Sequence, residues 1–188
     1  MRSNNLPRTR ILVEGALMIA LASVLSEIKI PLWVQGGSIK LFAMVPLVLM
    51  SYRHGLKWGV FTAFVHSVIQ MMMGFHNVLY CATLGSQILC ILLDYILAYT
   101  CLGLAVLVPA ALGRKTLWYG AGAAVVCFLR FVCSFLSGIV IWGAYAPEGT
   151  PVWLYSLTYN GGYMLPELII TTVGIVLLST AMPRLFRE

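Results

Sequence analysis

Residues 87–111 carry a single charged side chain, Asp94, in an otherwise apolar run. As a helix, such a run extends about 37 Å at 1.5 Å per residue, and the hydrocarbon core of a bilayer is roughly 30 Å thick. A helix also satisfies its own backbone groups, as lipid requires. Further apolar stretches occupy residues 11–28, 39–52, 59–74, 117–143 and 159–182, with basic or glycine-rich breaks between them. Composition points the same way. Hydrophobic residues make up 61% of the chain and charged residues 10%, whereas a soluble domain has about 25% charged residues. The expectation is an all-α integral membrane protein, a single domain of six transmembrane helices over residues 1–188. The apolar stretches are continuous rather than alternating, which argues against a membrane β-barrel.

The net charge of +6 does not point to nucleic acid, because the basic residues sit at the ends of the apolar segments. Arg2, Arg8, Arg10, Arg53, Lys57, Arg114, Lys115, Arg184 and Arg187, nine of the twelve, fall on one side. Lys29 and Lys40 fall on the other, and Arg130 lies within a helix. The positive-inside rule then places both termini in the cytoplasm and the connectors holding Gln35, His76 and Glu148 outside. The polar, basic start runs straight into a spanning helix, so no cleavable signal peptide is expected. Cys81, Cys90, Cys101, Cys127 and Cys133 show no CxxC spacing and read as small buried residues. No metal or cofactor is expected.

The polar residues inside the apolar segments are the candidates for function. Asp94 is costly in lipid unless something partners it. Ser134, Gly138 and Trp142 follow Arg130 at four-residue steps and share one helical stripe. A turn at Ala146–Gly149 and a short aromatic connector then lead to Tyr155 and Asn160. Two readings stand side by side. In one, Asp94 and Arg130 form a buried ion pair that only fixes helix packing. In the other, Asp94 faces a cavity and accepts hydrogen bonds from a cationic or amino-bearing ligand, with Arg130 holding its orientation. Trp142, Tyr155 and Trp153 are ordinary interfacial aromatics in the first reading and a stacking, cation–π wall in the second. Asn160 is either a helix cap or a ligand contact. Gln35, in Gln35-Gly36-Gly37-Ser38, is a weaker candidate, and His66 reads as a packed core residue. Ala16 and Ala20 are small residues four apart, suited to close helix approach in lipid. No HExxH, GxSxG or Walker A sequence is present, so neither catalysis nor ATP hydrolysis is expected.

Several of these blocks recur together in a known family. Glu14-Gly-Ala16-x-x-x-Ala20, Gln35-Gly-Gly-Ser38, Arg53-x-Gly55-Leu56 and Leu93-Asp94-Tyr95 come first. Leu129-Arg130-Phe131, Ser137-Gly138-Ile139, Trp142-x-x-Tyr145-Ala146 and Tyr155-Ser-Leu-x-x-Asn160 follow. The chain resembles the substrate-binding S components of energy-coupling factor (ECF) vitamin transporters, most of all the thiamine-specific ThiT type. The resemblance implies a six-helix protein in a prokaryotic plasma membrane that captures its vitamin from outside. Its implied partners are a transmembrane scaffold subunit and two ABC-type ATPases. By the same resemblance, Asp94 binds the aminopyrimidine and Tyr95 neighbours the ligand. Trp142 stacks on the thiazolium, and Tyr155 and Asn160 bind the pyrimidine end. Arg130 matches a basic position, and Ala16 and Ala20 match the face that meets the scaffold. Two positions depart from the pattern: Asp94 stands where Glu is common, and Ser134 where His is common. A thiamine precursor or another B vitamin therefore stays open as ligand. A membrane enzyme and a purely structural membrane subunit remain as alternatives of other classes.

Overall fold

The structure, a computed structural model, describes residues 8–32 and 37–186. Helix α1 spans Arg8–Glu27. Two short strands follow, β1 (Lys29–Pro31) and β2 (Ser38–Lys40), paired antiparallel with Lys29 opposite Lys40. Helix α2 spans Val45–Met73 and α3 Phe75–Leu79. A composite helix comes next: α4 (Leu84–Cys90), a π-helical turn (Ile91–Leu97), α5 (Ala98–Thr100), a 3-10 turn (Cys101–Leu104) and α6 (Leu107–Leu112). Helices α7 (Thr116–Val140) and α8 (Val152–Ala181) complete the bundle, joined through a 3-10 turn at Trp142–Tyr145.

Among the described residues four helices are long and apolar enough to cross a membrane: Arg8–Glu27, Leu84–Leu112, Thr116–Val140 and Val152–Ala181. Helix α2 is broken at Gly55, whose φ of 80° and ψ of −177° no helix accommodates. This left-handed φ favours glycine. Counting its two halves separately gives six helical rods among the described residues. Large apolar side chains such as Leu17, Leu117, Leu165 and Leu177 lie on the outside, as a lipid-facing surface requires.

The boundaries differ from the sequence expectation in three places, each for a local reason. The second helix begins at Val45, not residue 39, because Ser38–Lys40 is taken up in the hairpin. Phe42 then turns the chain at φ 57°, and Pro46 opens the helix in its first turn, where a missing N–H costs nothing. Helix α7 stops at Val140, so Trp142 is not on it. The last helix begins at Val152, directly after Pro151, rather than at residue 159. Tyr155 and Asn160 therefore belong to a helix and not to a connector.

The composite helix is irregular because of what it packs against. Gly103 abuts the backbone of Gly59 and Val60, and a Cβ on Gly59 would stand 2.6 Å from the Ser51 Cβ. The Ser51 hydroxyl donates to the Gly103 carbonyl (2.7 Å) and accepts from the Val106 N–H (3.1 Å), taking up backbone groups that the irregular turns release. The main apolar core includes Leu47, Val48, Leu102, Ala123, Val126 and Ile175. A ring cluster of Tyr52, Tyr119 and Phe186 belongs to it.

Candidate functional site

Asp94 sits in the π-helical turn, a departure from α geometry that is often found at functional sites. The turn aims it at the end of α7. Its Oδ2 accepts from Ser137 Oγ (2.6 Å), Trp142 Nε1 (3.1 Å) and Cys90 Sγ (3.6 Å). All three donors are neutral in these bonds. Among the described residues Asp94 makes no ion pair, and its Oδ1 accepts no hydrogen bond. Trp142, brought there by its 3-10 turn, is partly exposed and packs on Tyr145 with ring centroids 5.8 Å apart. The expected stripe along α7 therefore ends at Gly138. Even so, Trp142 reaches Asp94 from its 3-10 turn.

Tyr95, next in the turn, is buried. Its hydroxyl donates to the Gly74 carbonyl (2.8 Å) and accepts from Asn77 Nδ2 (3.3 Å), which ties the π turn to the start of α3. On α8, Asn160 is buried and its Nδ2 donates to the carbonyls of Ser134 (3.2 Å) and Ser156 (3.1 Å). Its Oδ1 accepts from the Tyr163 hydroxyl (2.9 Å). Asn160 is thus not a helix cap but a bridge from α8 to α7. Gly138 makes that approach possible, since a Cβ there would collide with the Ser156 hydroxyl and Asn160. Ser134 is buried beside the same bridge. Tyr155, Tyr159 and Tyr163 recur at four-residue intervals along α8, their rings 5.8 and 6.0 Å apart, as a continuous aromatic edge. Gln35 lies outside the described residues.

Arg130 is not the partner of Asp94. Its Nη1 pairs with the fully buried Glu167 of α8. Its guanidinium also lies 4.8 Å over the Tyr99 ring, with Nη2 donating to the Tyr99 hydroxyl (3.4 Å). Lys40, at the end of β2, joins this network three ways. Its backbone N–H donates to Glu167 Oε1 (2.8 Å), and its Nζ donates to Gln70 Oε1 (3.2 Å) and the Tyr99 hydroxyl (2.9 Å). Sequence reasoning gave Glu167, Lys40 and Tyr99 no role. A signal for Glu167 was available, because an acid inside a membrane helix is a functional candidate by default.

On the surface of α1, Ala16 and Ala20 are exposed, while Gly15 on the adjoining face packs against Thr62 and Met50. Near the same end, Glu14 binds Arg53 (2.9 Å) and His54 (2.7 Å), fastening α1 to the bend of α2.

Comparison with known proteins gives a consistent result. A family model described as thiamine transporter protein (Thia_YuaJ) matches residues 12–187. Thiamine transporter ThiT of Bacillus subtilis strain 168 is 32% identical over 94% of each chain. Thiamine transporter ThiT of Lacticaseibacillus paracasei is 30% identical over 94% of this chain and 90% of its own. A solved structure of ThiT from Listeria monocytogenes superposes with a TM-score of 0.76 at 24% identity. That match covers 95% of this chain and 98% of the other, and it speaks to the fold.

Proposed function

Because the chain belongs to the thiamine transporter protein (Thia_YuaJ) family, we propose that it is the thiamine-capturing S component of an ECF-type importer. The observation that carries this reading is Asp94. Its Oδ2 is fixed by Ser137, Trp142 and Cys90, and among the described residues its Oδ1 has no donor and no cation pairs with it. An amino group on an aromatic ring supplies the missing donor, and a cationic ring supplies the missing charge. The indole that holds Asp94 offers a face for that cation. Tyr155 and Asn160 flank the pyrimidine end, and Gly138 and Ser134 shape the α7 wall. Tyr95 holds the π turn, and Gln35 stays a weaker contact on its sequence alone. Arg130 acts from behind this wall, through Glu167 and Tyr99.

The binding site opens to the outside and both termini are cytoplasmic, as the distribution of basic residues supports. The exposed Ala16 and Ala20 dock the scaffold subunit, and two ABC-type ATPases drive release into the cell. The chain itself catalyses no reaction. Asp94 and Ser134 stand where the family commonly has Glu and His, and this keeps one second reading: a thiamine precursor or another B vitamin as ligand. Titrating the purified chain with thiamine and its two ring halves, following Trp fluorescence, tests both. Saturable quenching by thiamine supports the assignment. A chain that ignores thiamine but answers to a related compound replaces it.

A further inference from the structure

Cys81 and Cys90 are both buried free thiols. Cys81 lies in the bend between α3 and α4, and Cys90 is the last residue of α4, one turn before Asp94. They share one small apolar cluster with Val78 and Tyr95, against which Trp142 and Ile141 pack. Cys90 also donates its S–H to Asp94 Oδ2 (3.6 Å). A thiol pair therefore sits directly behind the carboxylate of the candidate site.

We propose that Cys81 and Cys90 are a disulfide-forming pair and that closing the disulfide weakens ligand binding at Asp94. The effect on binding rests on the reading of Asp94 given above; the pairing of the two thiols does not. The oxidant is a small disulfide of the glutathione class. The Cys81 thiolate, on the loop side, attacks one sulfur of that disulfide and releases a first thiolate. The Cys90 thiolate then attacks the Cys81 sulfur of the mixed disulfide and releases a second. Two electrons pass to the oxidant, and the two protons of the protein thiols end on the two released thiols. The product has one S–S bond and no S–H on residue 90, so Asp94 loses one of its three donors. The bond also ties the loop to α4 and draws the Cys90 sulfur towards Cys81. Cys101 lies in the 3-10 turn of the composite helix and Cys127 and Cys133 on α7, outside this cluster, and they are expected to stay reduced.

The test uses the full chain in detergent, fully reduced and then exposed to oxidised glutathione, with remaining thiols blocked by a maleimide. Peptide mapping is expected to show a Cys81–Cys90 cross-link and three blocked cysteines. Thiamine affinity is expected to fall about fivefold, less than for an ordinary bond to a carboxylate because a thiol is a weak donor, and to return on adding reductant. Cys90→Ser keeps a donor on Asp94 and removes the pair, so its affinity stays constant with or without oxidant. Cys81→Ser is likewise indifferent to oxidant. Absence of the Cys81–Cys90 cross-link in the oxidised wild type overturns the pairing. A mapped cross-link with unchanged affinity overturns its link to Asp94. If the reduced wild type binds no thiamine, the functional reading fails, while the peptide map still decides the pairing.

Discussion

Two acidic side chains lie inside the helical bundle, and they are treated in opposite ways. Glu167 is sealed from solvent, paired with Arg130 and held by the Lys40 backbone. Asp94 is half-buried and, among the described residues, receives a hydroxyl, an indole N–H and a thiol. A charge removed from water without a counter-charge is costly, and such a cost persists where something else repays it. The chain has a cation within reach and commits it to Glu167. The contrast assigns Glu167 to the fold and leaves Asp94 incomplete until a ligand arrives.

The largest expected effect falls on the completed pair. Glu167→Gln leaves Arg130 without its partner and is expected to cost about 3–5 kcal/mol of stability, read by unfolding of the solubilised chain. A variant as stable as wild type would erase the distinction between the two acids. Next comes the indole that holds Asp94. Trp142→Ala is expected to weaken thiamine binding about thirtyfold, for a desolvated cation–π contact near 2 kcal/mol. Trp153, exposed on α8, serves as control, and Trp153→Ala should leave affinity unchanged; equal effects from the two would remove the stacking role. Ser134→Ala deletes a hydroxyl with no direct partner among the described side chains, and a loss of only about two- to threefold is expected. A loss as large as that of Trp142→Ala would move the polar centre of the site from Asp94 towards α7. The smallest effect on binding is expected from Ala16→Trp. Affinity should stay within about twofold while uptake by cells is lost, because an indole there blocks close helix approach. Uptake that survives puts the docking face elsewhere.

The parts of this arrangement that were legible in the sequence are the local ones. Asp94 stood out because it is the only charge in a long apolar run. Ala16 and Ala20 stood out by their spacing, and the basic breaks located most helix ends. What the sequence did not reveal depends on contacts between distant segments. The π turn that aims Asp94 lies in a helix made irregular where Gly103 meets Gly59 and Val60. The paired strands 29–31 and 38–40 are too short to show a strand pattern in the sequence. Arg130 has two acids within apolar helices to choose from, Asp94 and Glu167, and spacing along the chain cannot rank them. Asn160 and the neighbouring glycines resemble a helix break. The helix runs through them because Asn160 bonds back to the Ser156 carbonyl and across to that of Ser134.

The contrast between the two acids rests most directly on one measurement: thiamine affinity of Asp94→Asn against wild type, by equilibrium titration of the same solubilised preparation. Asn keeps the size and one acceptor oxygen but removes the charge. A charge-assisted hydrogen bond contributes about 1.5–3 kcal/mol, so the account predicts affinity lower by about ten- to hundredfold in a chain that remains folded. An Asp94→Asn chain that binds thiamine as tightly as wild type would contradict it, and Asp94 would then belong to the fold as Glu167 does.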